Sequence, residues 1–220
     1  MNTSTPHLPP LPETADIAER DLLGGLEKGL RVIEAFDQDR PRLTISEVAL
    51  RTGLSRAAVR RCLLTLVHLG YARQDERHFS LSPKVMRLGQ SYMHSAKLPR
   101  AIQPQLQRIA MAMQEAGSVG VLDGDDVIAV AAVTAGRVVS STLQPGTRVP
   151  AYCTANGRVL TAWLPEPERE AWLARQTMAA RTVQTLTDRD RLREELARVR
   201  AQGHALVDQE FEPGLRTVAV

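Results

Sequence analysis

Cysteine is nearly absent from these 220 residues: Cys62 and Cys153 are the only two. Two isolated thiols build neither a metal-ligand spacing nor a disulfide framework, so no metal or cofactor is expected and a reducing cytoplasm suits the chain. Long apolar runs are missing as well. No stretch approaches the ~18 apolar residues of a membrane helix, and the N-terminus lacks a basic, apolar leader. The expectation is a soluble, cytoplasmic protein with no membrane partner. Lysine is scarce: Lys28, Lys84 and Lys97 are three of the 28 basic residues, and the rest are arginine. Arginine suits bidentate recognition of phosphate and guanine, although a GC-rich genome leaves the same bias.

Charge is unevenly placed. Residues 1–19 carry three acids and no Lys or Arg; residues 20–97 carry 14 basic and 8 acidic side chains, a net +6; residues 98–220 carry 14 of each. The positive excess thus falls in the half where a phosphate-binding module would need it.

The segment Leu43–Leu81 reads as a winged helix-turn-helix. A helix over Thr44–Arg51 opens with Thr44-Ile45-Ser46-Glu47, a capping box. Gly53 permits the sharp turn at Thr52-Gly53-Leu54. A second helix starts at Ser55, burying Val59, Cys62, Leu63, Leu66 and Leu69. Tyr71–Gln74 and His78–Leu81 then pair around the wing tip Asp75-Glu76-Arg77. Before these, a helix over Gly25–Phe36 aligns Leu26, Leu30, Ile33 and Phe36 on one face.

The outward side of the second helix carries the chemistry. Four arginines between Arg51 and Arg61, with no acid among them, point to a helix laid in the major groove of double-stranded DNA. Thr44, Ser55, Arg56, Ala57, Arg60, Arg61, Thr65, Arg77 and His78 are the candidate DNA-binding residues, Arg56 and Arg60 being four apart on one face.

The domain boundaries read from the sequence are a disordered, proline-bearing arm (1–20), the winged helix-turn-helix (21–83), a linker helix (84–98) and a second domain (99–220). In that second domain a helix over about Ala101–Glu115 follows Pro99, with Ile102, Leu106, Ile109 and Met113 at helical spacing. Strands Ser118–Leu122 and Val127–Val133 flank the hairpin signal Asp123-Gly124-Asp125-Asp126. A strand at 138–143 leads to the Pro145-Gly146 turn. Helices follow at Thr154–Leu164, Glu166–Gln176 and Asp188–Gln202, then strands at Ala205–Val207 and Arg216–Val220. The class is α+β, with an antiparallel sheet under helices.

The run from Thr52 to Tyr71 (TGLSRAAVRRCLLTLVHLGY) resembles the DNA-binding core of the IclR family of bacterial transcriptional regulators. Val121–Asp126, Leu143–Leu160 and Asp208–Val220 resemble the same family's effector domain. The Arg-Ala-Ala-x-Arg-Arg of the second helix and the Pro-Ala-Tyr-Cys-Thr before Gly157 place the likeness nearest the PcaR/PcaU/PobR branch. That branch governs catabolism of protocatechuate and 4-hydroxybenzoate through the β-ketoadipate pathway.

The resemblance implies a GAF-like effector domain that binds a small carboxylate, an aromatic acid or ketoacid. It also implies a homodimer or dimer of dimers on operator DNA. Family effector contacts carry over to Cys153, Thr154, Ala155, Asn156 and Gly157, and to Asp208 and Thr217. Free N–H groups at the start of the 154–164 helix would attract a carboxylate. Arg137 and Arg148 either add a guanidinium there or sit solvated on the surface. Asp208 either bonds an effector hydroxyl or caps the turn toward Gly214, while Glu210 reads as structural. Thr154-Ala155-Asn156 stands where many members have a small Ser-Gly pair. The stop at Val220 falls within an expected strand, so the resemblance leaves the effector domain incomplete at its C-terminus, with an exposed edge.

The reading weighed against this one is a metabolite-binding module or small-molecule enzyme whose helix-turn-helix serves protein contact only. As for catalysis, Cys153 and the distant His204 have no orienting partner, and the chain reads as a non-enzyme.

Overall fold

The computed structural model describes residues 17–37, 39–134 and 144–220. The arm expected at 1–20 therefore lies almost entirely outside the described residues, as does the strand expected at 138–143. The chain divides into two compact units, one ending at Ser91 and the other beginning at Tyr92.

In the first unit, α1 (Gly24–Glu34), α2 (Ile45–Thr52) and α3 (Arg56–His68) pack over a small sheet of β1 (Leu43–Thr44), β2 (Ala72–Asp75) and β3 (His78–Leu81). The sheet is antiparallel in the order β1-β3-β2, with Leu43 opposite Phe79 and Asp75 opposite His78. Thr44 and Glu47 make the expected capping box. Gly53 ends α2 at φ 69°, a left-handed conformation that a side chain would strain.

Val32, Ala35, Leu43, Val48, Val59, Leu63, Leu66, Ala72 and Phe79 form the core. Burying each larger one of these contributes roughly 1.5–3 kcal/mol. Three expectations need correction here. On α1, Ile33 packs against the core as expected, and so does Phe36 just beyond it, but Leu26 and Leu30 are 61% and 47% exposed, and the fully buried positions are Val32 and, at the C-cap, Ala35. Leu69 is exposed because α3 ends at His68 and the chain turns away. Arg51 is not part of the outward arginine cluster: it is buried and its guanidinium pairs with Asp37.

A single turn of 3-10 helix (Pro83–Val85) runs into α4 (Met86–Ser95), the expected linker helix, which buries none of its residues. The boundary between the two units falls within α4.

The second unit begins with α5 (Lys97–Met113), which starts four residues earlier than the sequence suggests. Pro99 sits in its first turn, where amides have no intrahelical acceptor and proline therefore costs little. The inward row of α5 is Pro99, Leu106 and Ala110, while Ile109 and Met113 are exposed. β4 (Gly117–Asp123) and β5 (Asp126–Val133) form the expected hairpin, and β6 (Arg148–Pro150) adds to β5.

Then come α6 (Ala155–Ala162), α7 (Glu166–Arg175), α8 (Arg189–Gln202), β7 (Ala205–Asp208) and β8 (Arg216–Ala219). Among the described residues the strands of this unit make two antiparallel sheets, β4-β5-β6 and β7-β8, rather than one. Trp172, Leu173, Leu192, Leu196 and Val199 bring α7 and α8 into one core with Ala151–Cys153, Val159 and Val207. Two of the strands, β1 and β6, are too short to show any period in sequence and exist only through their partners.

Candidate nucleic-acid interface and effector region

α3 begins at Ser55, whose side chain accepts the Ala58 amide at 3.2 Å. Arg56, Ala57, Arg60, Arg61 and Thr65 are all exposed along it, because Val59, Leu63 and Leu66 take the opposite, buried side. Arg60 and Arg77 line a groove of about 460 Å³ with Thr44 and Ser46 at the start of α2 and with Leu64 and Gln74. The helix, the wing and the N-terminus of α2 thus meet there.

Among the described residues Arg56, Arg60, Arg61 and Arg77 have no ion-pair partner, whereas Arg42 pairs with Asp75 and Arg51 with Asp37. Free guanidinium groups beside amide donors suit phosphate oxygens. The acid within reach is accounted for: bonds from the Thr44 side chain, then from its amide, hold Glu47 below the usual carboxylate range. His78 is half-buried in β3, opposite Thr44 and Asp75. Thr65 donates to the Arg61 carbonyl at 2.8 Å.

In the second unit α6 opens at Thr154, whose hydroxyl accepts the Gly157 amide (3.3 Å) and donates to the Pro150 carbonyl (2.9 Å). Gly157 lies against Ala151 so closely that an added Cβ would stand 2.2 Å from the Ala151 oxygen. Cys153 and Ala155 are buried on either side of Thr154. Asn156 is half-buried and donates to Ser118 Oγ on β4 at 3.4 Å. Among the described residues the amides of Ala155 and Asn156 remain as the open donors of that turn.

Burial pushes the Cys153 thiol up to about 11 and the Tyr152 phenol up to about 12. The Tyr152 hydroxyl donates to the Ala179 carbonyl at 2.7 Å. His204 is exposed, its ring against the Gln202 carbonyl. No cluster of metal-ligating side chains occurs among the described residues. No helix among them is long and apolar enough to cross a membrane.

The remaining candidates are dispersed. Arg148 is engaged by Asp123 at 2.7 Å and Asp126 at 3.2 Å, which leaves little free charge for a ligand. Arg137 lies outside the described residues. Asp208 accepts from Arg216 across the β7–β8 pair at 2.7 Å, a bond that holds its carboxyl below the usual range. The turn amide of Gly214 is instead taken by the Gln209 side chain at 3.0 Å. Thr217 is half-buried opposite Val207.

One residue that sequence reasoning passed over is Arg158. It is only 3% exposed, donates to the Tyr152 carbonyl at 3.2 Å and Glu210 at 2.6 Å, and lies 3.8 Å from Glu195. Glu210 also accepts the Leu186 amide at 2.8 Å. Arg158 therefore ties α6, α8 and two loops together beneath the Cys153 turn, and nothing in its local sequence separates it from a surface arginine.

Comparison with known proteins bears on both units. Residues 25–76 match the IclR helix-turn-helix domain, and residues 90–220 match the bacterial transcriptional regulator IclR C-terminal domain. The Pca regulon regulatory protein of Pseudomonas putida is 45% identical over 91% of this chain and 69% of its own length. The p-hydroxybenzoate hydroxylase transcriptional activator of Acinetobacter baylyi is 37% identical over 93% of this chain and 78% of its own. Among solved structures, the putative transcriptional regulator RHA06195 of Rhodococcus is 43% identical. It superposes with a TM-score of 0.73 over 90% of this chain and 79% of its own.

Proposed function

This chain belongs to the IclR family of bacterial transcriptional regulators, and from that premise we propose how it divides its work. The first unit seats α3 in the major groove of operator DNA. Arg56 and Arg60 face base edges or phosphates, Arg61 faces the backbone, and Arg77 with the start of α2 grips the phosphates beside the wing. The second unit binds a small aromatic acid or ketoacid at the Cys153–Gly157 turn, and the ligand favours one arrangement of paired subunits over another. It shifts that equilibrium only by its differential affinity for the two states.

The observation that carries the DNA reading is the groove in which Arg60 and Arg77 converge without acidic partners. The aromatic-acid reading is supported by the relatives named for the Pca regulon and for p-hydroxybenzoate hydroxylase. A homodimer places two recognition helices on one DNA face, with half-sites ~10 bp or a multiple apart.

The test is fluorescence anisotropy on DNA from upstream of the gene and its neighbours, across a salt series, with and without protocatechuate, 4-hydroxybenzoate and β-ketoadipate. Selective binding that weakens steeply with salt and responds to one acid supports the whole reading. Arg60→Ala and Arg77→Ala should each lower the steepness of the salt dependence by about 0.9. Unchanged slopes in both variants would remove these residues from the interface. DNA-independent behaviour of the wild type would leave the helical hairpin as a protein-contact device.

A further inference from the structure

The recognition helix α3 ends in a Schellman turn. The Gly70 amide donates to Val67 (3.0 Å) and the Tyr71 amide to Leu66 (2.8 Å), with Gly70 at φ 78°. That turn bonds the Leu66 and Val67 carbonyls, while those of Leu69, Gly70 and Tyr71 lie beyond it. All three are taken by one short segment on the far side of the wing. Lys84 Nζ donates to Leu69 at 2.7 Å, Ser82 Oγ to Gly70 at 2.5 Å, and the Ser82 amide to Tyr71 at 2.8 Å. The Lys84 ammonium also sits 4.9 Å from the centre of the Tyr71 ring. A cation there complements the negative end of the helix dipole and the ring face together.

The donor segment is not a free loop. Ser82 caps the Pro83–Val85 turn by accepting the Lys84 amide at 3.2 Å, and that turn runs into α4 without a break. Since α4 buries none of its own residues, its anchorage to the first unit lies in this first turn. The end of the helix that reads DNA and the start of the helix that leaves the module are thus bonded to each other through three consecutive carbonyls.

We propose that Ser82 and Lys84 form a clamp that makes α3 and the start of α4 one body, with Lys84 as its charged latch. The orientation of the linker is then imposed on the recognition helix, and Lys84 is a positioning residue for operator recognition rather than a DNA contact. This rests on the DNA-binding role proposed above. A closed clamp fixes how two recognition helices are presented, so it makes the protein intolerant of altered half-site spacing. An open one lets each α3 adjust by itself.

The experiment uses the full chain with Lys84→Met, which keeps the aliphatic stem and loses the donor, Lys84→Arg, which keeps the cation, and Ser82→Ala. Two quantities are read. The first is the affinity ratio between the operator and the same duplex with one base pair inserted between half-sites. The second is exchange of the Ser82 amide, whose bond to the Tyr71 carbonyl closes the clamp. Lys84→Met should cut the affinity ratio by about threefold or more while leaving the salt slope unchanged, because spacing is read through geometry rather than phosphate contact. It should also quicken exchange of the Ser82 amide; Lys84→Arg should restore both readouts, and Ser82→Ala should behave like Lys84→Met. A salt slope smaller by about 0.9 in Lys84→Met, with the spacing preference intact, would make Lys84 a phosphate contact and overturn the clamp. Unchanged exchange of the Ser82 amide overturns it without reference to DNA. If wild-type protein shows no selective binding, the DNA reading fails while the exchange data still decide the clamp.

Discussion

At the scale of single residues, the buried charge of Arg158 sets the firmest expectation. Its guanidinium is held by Glu210 and the Tyr152 carbonyl with almost no water access. Removing one partner strands the other, so Arg158→Met or Glu210→Gln should each cost about 3–5 kcal/mol in urea denaturation, and the double variant much less than the sum. Additive losses would show that the pair is not coupled. The thiol beside it responds to pH. Cys153 titrates near 11 when folded, against an ordinary 9, because burial disfavours the thiolate. The folded state therefore keeps a proton that the unfolded state gives up, and stability falls as pH rises from about 9 to 11. Tyr152, raised from 10 to about 12, extends the decline. Unfolding midpoints across that range should fall less steeply in Cys153→Ala; an equal slope would assign the effect elsewhere. Neither Arg158 nor the pairing of Asp208 with Arg216 was legible in the sequence, because partners 52 and 8 residues away are chosen by the fold.

At the scale of elements, the sequence was most informative where local chemistry decides. Thr44 with Glu47 and Ser55 before α3 mark helix ends by bonds within a few residues, and each is found where expected. Periodicity was less reliable. On α1, Leu26 and Leu30 stay exposed while Val32, and Ala35 at its C-cap, are buried and Ile33 packs beside them, so only half of the expected face turns inward. The cap at Ser55 separates two roles. Ser55→Ala should cost about 1 kcal/mol of stability in the first unit. Ser55→Asp should keep that stability, since aspartate caps as well, yet weaken operator binding by placing a negative charge at the interface. Parallel losses of stability and affinity in both variants would mean that Ser55 acts only as a cap.

For the whole molecule, the two units have separate cores, one around Leu63 and Phe79 and the other around Trp172 and Leu196. Damage to one should leave the other folded. Gly157→Ala drives a methyl into the Ala151 backbone, which has no side chain to move aside, and should destabilise the second unit by about 3 kcal/mol or more. Calorimetry should then show one early transition and one unchanged, with the helix-turn-helix still melting as in the parent. A single shifted transition would show that the units unfold together. The positive excess of residues 20–97 was legible from composition, as was the motif it serves. What composition could not show is which arginines remain free: Arg51 and Arg148 are both neutralised by acids, whereas among the described residues Arg60 and Arg77 are not.

The contact of Gly157 with Ala151 also limits how this sensor can be remade. Where main chain rests on main chain, evolution has no side chain to exchange, and a mutational library aimed at that position should return mostly unfolded members. Thr154 holds the turn through two bonds of its own. Asn156, half-buried and bonded only loosely to Ser118, is the one place in the turn where chemical identity is free to vary. With the inducer at this turn as proposed, retuning for a new one should begin there, with its neighbours kept as they are.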